Sequence, residues 1–245
     1  MEFYQEFAHL YNSLVSFENR VKNEASFFDD LFKENEVRTI LDCACGTGHH
    51  IIMFKQLGYE VMGSDASPAM LEVAAKNIKK INLKIKLKEC DFRELYRVFK
   101  NKFDAIVLLG NSLPHMPLES DLKQTLTGIY KLLNKEGILV IEHRNYDRLI
   151  NTKERFIPIS IQNKDIFFYV LDYFENKITF NVVFINTEYK SFQVFNTDYY
   201  PILKKKIFSS VKNVGFQIIN SYGDYRYNKF DLNSSNHLII IGKKK

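Results

Sequence analysis

The densest run of residues able to hold a ligand is Asp42-Cys43-Ala44-Cys45-Gly46-Thr47-Gly48, with Asp65 following. Small residues between a strand and a helix let backbone come close to a ligand. A carboxylate about twenty residues on, at the end of the next strand, can accept hydrogen bonds from two ribose hydroxyls. The pair suits a cofactor that carries adenosine. A dinucleotide fingerprint asks for a third Gly or Ala three positions after Gly48, and Ile51 stands there.

Three more polar clusters come in order: Cys90-Asp91-Phe92, Gly110-Asn111-Ser112-Leu113-Pro114-His115 and His143-Arg144-Asn145-Tyr146-Asp147. Asp91 can accept from an adenine amino group or cap a helix, and Phe92 can cover an adenine face. The Arg144 guanidinium can grip a carboxylate through two parallel hydrogen bonds, or pair with Asp147 or Glu142 to hold its loop. His115 reads either as a loop residue held by hydrogen bonds or as a proton carrier. The histidines and acids show no ligand spacing such as His-x-x-x-His, so no metal is expected.

The elements that must position these residues alternate between strand and helix. Val37 to Cys43 and Tyr59 to Asp65 read as strands, with a helix from His50 to Leu57 between them. Ser67-Pro68 opens another helix, Ser as cap and Pro in the first turn; Met70, Leu71, Ala74, Ala75 and Ile78 recur at helical spacing. Lys84 to Cys90, Phe103 to Leu109 and Gly137 to Glu142 supply further strands, the last two nearly all apolar as central parallel strands are. Such alternation predicts a doubly wound, mostly parallel α/β sheet with ligand at the carboxyl ends of its strands.

The pattern changes after Asp147. Phe167 to Leu171, Ile178 to Phe184 and Lys190 to Phe195 are aromatic and β-branched, which predicts a small antiparallel cap after the fifth strand. A helix from Ile202 to Val214 and strands Phe216 to Tyr222 and His237 to Ile241 complete seven strands in the main sheet. Phe3, Phe7, Tyr11 and Leu14 predict an amphipathic N-terminal helix. The expected division is one domain: a lid over 1–35, a cofactor core over 36–147, the cap over 148–200, and a closing helix with edge strands over 201–245.

Composition sets the class. Among 245 residues, 46% are apolar and 26% charged, which excludes a disordered chain and a disulfide-stapled miniprotein. No run reaches the roughly 18 apolar residues of a membrane span. The N-terminus carries acids where a signal peptide has a basic flank. Cys43, Cys45 and Cys90 read as reduced thiols, as in a cytoplasmic protein. The net charge of +5 comes from scattered lysines rather than a stripe, which argues against a nucleic-acid partner.

These motifs together resemble the class I S-adenosylmethionine (AdoMet)-dependent methyltransferases, and more narrowly the glycine N-methyltransferase and glycine/sarcosine methyltransferase group. The resemblance covers nearly the whole chain. It is sharpest at Asp42 to Gly48, Gly110-Asn111-Ser112 with His115, and His143 to Asp147, and it extends to Tyr199-Tyr200-Pro201 and Gly223-Asp224-Tyr225. It implies a Rossmann-like methyltransferase fold, AdoMet as cofactor, S-adenosylhomocysteine as product and a small-molecule acceptor.

By residue, the resemblance implies that Asp65 holds the ribose, that backbone at Ala44 and Gly46 lines the methionine moiety, and that Arg20 meets its carboxylate. Asp42, Cys45, Gly48, Ala66, Met70, Asp91, Phe92 and Leu109 complete the implied cofactor set. Arg144 would grip an acceptor carboxylate, with Asn111, His115 and Tyr199 around the acceptor. The family's lid-strand tyrosine falls near Val182. The leading expectation is N-methylation of an amino acid. Methylation of tRNA or of an amino sugar, a dinucleotide oxidoreductase and a non-catalytic AdoMet sensor are the alternatives.

Overall fold

A computed structural model describes residues 2–162 and 164–245. The main sheet contains β1 (Thr39–Asp42), β2 (Glu60–Asp65), β3 (Lys86–Glu89), β4 (Phe103–Leu108), β5 (Leu133–Arg144), β10 (Phe216–Tyr222) and β11 (His237–Lys244). Its order is β10-β11-β5-β4-β1-β2-β3. Strands β1 to β5 run parallel, and β11 is antiparallel to both β5 and β10. The expected seven-stranded doubly wound sheet is present.

The apolar runs that predicted the sheet explain its layers. Ile40, Ile106, Val107, Leu108, Leu139, Val140 and Ile141 are wholly buried, because helices cover both faces. One face packs under α6 (Glu119–Leu132) and α8 (Lys204–Val214), through Leu126, Ile129, Ile207 and Val211. The other packs under α2 (Phe17–Glu34), α3 (His49–Gln56) and α4 (Pro68–Lys80), through Phe28, Phe32, Ile51, Phe54 and Ile78. Ser67 caps α4 by accepting from the Met70 amide, with Pro68 in the first turn as expected.

The cap is a separate antiparallel sheet in the order β6-β7-β8-β9, formed by β6 (Phe156–Gln162), β7 (Asp165–Tyr173), β8 (Ile178–Asn186) and β9 (Ser191–Tyr199). Three of these strands follow the sequence expectation. The fourth, β6, was hidden by Pro158; it lies at the sheet edge, where a missing N–H is tolerated. A short helix, α7 (Tyr146–Thr152), joins β5 to the cap, and Asn145 caps it.

The N-terminal helix α1 (Glu2–Leu14) lies across the cap and α4. Phe7 is buried, its ring 5.1 Å from Phe195, and packs with Phe167, Val182 and Phe184. Val182 therefore faces the lid helix as core. Among the described residues no helix is long and apolar enough to cross a membrane.

Candidate active site

The carboxyl ends of β1, β2, β3 and β4 open into one cavity, of about 1110 Å³ of atom-free space, that is partly open to solvent. It lies between the glycine loop and the N-terminal lid. Of the residues singled out in the sequence, Arg20, Ala44, Cys45, Gly46, Asp65, Ala66, Met70, Asp91, Phe92, Leu109 and His115 line it. Asp42, Gly48, Asn111, Arg144 and Tyr199 are not among its lining residues.

Backbone geometry explains the loop. Gly48 sits at φ +89°, where a side chain is strained, and an added Cβ would lie 3.2 Å from that of Ala74. Glycine thus lets the loop press onto α4. Asp65 ties the loop to β2: one oxygen accepts from the Gly46 amide at 2.8 Å, the other from the Ser67 amide at 2.9 Å. Burial raises its carboxyl, opposed by these amides. A carboxylate that already orders the loop still has lone pairs for ribose hydroxyls.

Asp42 is fully buried and turns the chain by accepting from the Ala44 amide at 3.2 Å. Burial pushes its carboxyl up to about 6. Asp91 has its amide-capping role, accepting from the Arg93 amide, and both its oxygens also take the Arg93 guanidinium. Arg93 therefore competes for the carboxylate that was expected to meet an adenine amine.

AdoMet fits this set on a structural ground. Arg20 Nε, Asp42 Oδ2, Thr47 Oγ1 and His49 Nδ1 are buried without a hydrogen-bond partner. Buried polar groups normally find partners. A mix of unspent donors and an acceptor around the glycine loop suits an amino-acid end that bears both charges. Arg20 is anchored there beside His50 and Glu24, with a guanidinium nitrogen 2.9 Å from His50 Nδ1.

The far end of the cavity is aromatic. Tyr4 and Tyr11 of α1 line it, and the Tyr4 hydroxyl meets His115 Nε2 at 2.8 Å. Burial lowers His115 to about 4, so its ring is neutral at pH 7. Tyr199 lies edge-on to His115, with centroids 4.7 Å apart, and 4.5 Å from Phe180. The lid's amphipathic spacing was visible in the sequence; that Tyr4 and Tyr11 turn to the cavity depends on how α1 docks.

Arg144 ends β5, and its guanidinium lies 5.2 Å from the Tyr169 ring and 5.5 Å from that of Phe180. The pairing with Asp147 or Glu142 considered from sequence does not form: Asp147 accepts from the Lys204 amide, and Glu142 pairs with His237. Among the described residues Arg144 has no acidic partner. Asn111 is spent locally, accepting from the Arg144 amide and donating to the Tyr146 hydroxyl, both at 3.0 Å.

A doubly wound sheet with an antiparallel last strand, a glycine loop tied down by the carboxylate that ends β2, and a cavity beneath the N-terminal helix are the frame of an AdoMet-dependent methyltransferase. A methyltransferase domain model matches residues 40–137. The glycine/sarcosine N-methyltransferase of Parasynechococcus marenigrum (strain WH8102) is 30% identical over 92% of this chain and 79% of its own. That of Aphanothece halophytica is 28% identical over 92% and 83%. The chain belongs to the family of these enzymes. An S-adenosylmethionine-dependent methyltransferase of Clostridium acetobutylicum ATCC 824 shares the fold with a TM-score of 0.82, at 19% identity over 98% of each chain.

Proposed function

We propose that the chain methylates the amine of a small amino acid, of the glycine or sarcosine type. The observation that carries this reading is Arg144: a guanidinium at the carboxyl edge of the sheet, enclosed by aromatic rings and without an acidic partner among the described residues. A cation placed so lacks the anion that would offset its desolvation. An acceptor carboxylate supplies that anion and is fixed by a planar fork. The names of the relatives, glycine/sarcosine N-methyltransferases, support the same acceptor class.

AdoMet supplies an activated methyl group, so the protein's task is position and field. Asp65, Arg20 and the glycine loop hold the cofactor. Arg144 orients the acceptor. Tyr4, Tyr199 and the cap exclude water. The attacking amine must be neutral, so its ammonium proton leaves to solvent before transfer; His115, itself neutral at pH 7 and held by the Tyr4 hydroxyl, offers the cavity a hydrogen-bonding group and not a store for that proton.

The test is S-adenosylhomocysteine release against a panel: glycine, sarcosine, larger amino acids, amines without a carboxylate, an amino sugar and tRNA. Turnover concentrated on amines that carry a carboxylate is expected. Turnover confined to uncharged acceptors or to tRNA overturns the reading.

A further inference from the structure

Glu142 lies on β5 two residues before Arg144 and is only 9% exposed. One carboxylate oxygen accepts from the Gly110 amide at 2.8 Å; the other lies 2.8 Å from His237 Nδ1 on β11. Burial alone would raise its carboxyl; His237, the Gly110 amide and Arg20 outweigh burial and hold it far below the usual range. Glu142 is thus a fixed acceptor behind the loop that follows β4.

That loop needs holding. Gly110 and Asn111 both have left-handed backbone, at φ +68° and +62°. Glycine adopts this backbone freely, whereas a non-glycine residue such as Asn111 keeps it where surrounding contacts over-determine it. Asn111 is pinned to the Arg144 amide, and the Ser112 hydroxyl closes on the Leu109 carbonyl at 2.8 Å. Leu109, Gly110, Ser112 and His115 line the cavity from this loop. Without Glu142 the Gly110 amide has no partner among the described residues.

We propose that Glu142 is a positioning residue for the acceptor: through the Gly110 amide it sets the register between the His115 loop and the strand that presents Arg144. It acts by reach and acceptor geometry, and it touches neither cofactor nor acceptor. The inference rests on methyl transfer in this cavity, and on Arg144 and His115 facing the acceptor.

The test pairs Glu142→Met, which keeps length and loses the acceptor, with Glu142→Gln, which keeps an acceptor oxygen and loses the charge. Three readouts are taken on the full chain: KM and kcat for whichever acceptor the wild type uses best, the AdoMet dissociation constant, and hydrogen exchange of the Gly110 amide. A hydrogen bond to a charged group is worth about tenfold to a hundredfold in an equilibrium. Glu142→Met is expected to raise the acceptor KM by about tenfold or more, within that range. AdoMet affinity should stay within about twofold, and the Gly110 amide should exchange faster. Glu142→Gln should restore the acceptor KM to within about threefold and slow the exchange again. Should Glu142→Met not fold, Glu142→Ala takes its place with the same expectations.

Unchanged acceptor KM or unchanged Gly110 exchange in Glu142→Met overturns the proposal. So does an AdoMet affinity that falls in step with the acceptor, or a Gln variant as impaired as Met. The exchange readout needs no turnover. A wild type that refuses amino acids but loses Gly110 protection on mutation would therefore sink the acceptor assignment and spare the contact.

Discussion

Replacing Arg144 with Ala removes the guanidinium and, in the absence of acceptor, very little else. Its head group makes no ion pair among the described residues, and its contacts there are to the Tyr169 and Phe180 rings. Each such cation–π contact is worth about 0.5–2 kcal/mol. Its backbone amide, which Asn111 accepts from, survives the substitution. The two contacts together set an upper bound of about 1–4 kcal/mol on the stability loss, reduced by the desolvation cost that the unpaired guanidinium no longer carries. Binding is another matter. Truncating one member of a buried, hydrogen-bonded charge pair costs about 2–5 kcal/mol, or about thirtyfold to several thousandfold in kcat/KM. The assay is initial-rate methylation of glycine and sarcosine, with AdoMet affinity by calorimetry and a thermal melt on the same samples. Lost kcat/KM with near-constant AdoMet affinity is expected. Arg144→Lys should recover only part, because an ammonium lacks the planar fork. Equal activity of wild type and Arg144→Ala on carboxylate-bearing amines would refute the reasoning. A melting loss matched by an equal loss on all acceptors would refute it too, since it would make the residue structural.

Three further outcomes follow from the geometry. Asp65→Ala should weaken AdoMet binding by about 1.5–3 kcal/mol for the lost ribose bonds alone; because Asp65 also orders the Gly46 and Ser67 amides, the calorimetric loss should exceed that of a variant at Asp91. Burial lowers His49, His115 and His143 from 6.5 to about 4. The unfolded chain binds more protons in that window, so stability is full above pH 6.5 and falls as pH drops toward 4, by up to about 3 kcal/mol per histidine. Asp42, raised from 3.8 to about 6, works in the opposite sense and offsets about one of the three. Urea midpoints at pH 7 and 4.5 check the balance, and equal midpoints would contradict it. AdoMet should slow hydrogen exchange across residues 3–14, and Phe7→Ala, which empties the lid's buried contact, should weaken AdoMet binding while leaving the exchange of β4 and β5 unchanged.

The cofactor half of the site was legible because its residues follow one another along the chain. A strand, a glycine loop and a helix start fix their own geometry: Gly48 must be glycine at its positive φ, and Ser67-Pro68 must open a helix. Asp65 then lands beside Gly46 by parallel register alone, since β1 pairs with β2 from Thr39 to Asp42. Local pattern could not reveal β6, where Pro158 masks an edge strand. Nor could it show that Arg93 takes the carboxylate of Asp91.

The acceptor half is built differently, and that explains why sequence gave its class more readily than its detail. Tyr4 meets His115 across 111 residues of chain, and Glu142 on β5 meets His237 on β11. No periodicity reports such pairs, because docking of a lid and addition of an edge strand create them. Arg144 shows the consequence. Its position at a strand end is local information. Its lack of an acidic partner is not, since Glu142 and Asp147 stand close by in sequence and are drawn away by His237 and the Lys204 amide. Both of these carboxylates are engaged elsewhere, and the Tyr169 and Phe180 rings of the cap lie against the guanidinium. The guanidinium is thereby left without an anion among the described residues, and the proposed acceptor carboxylate would supply one.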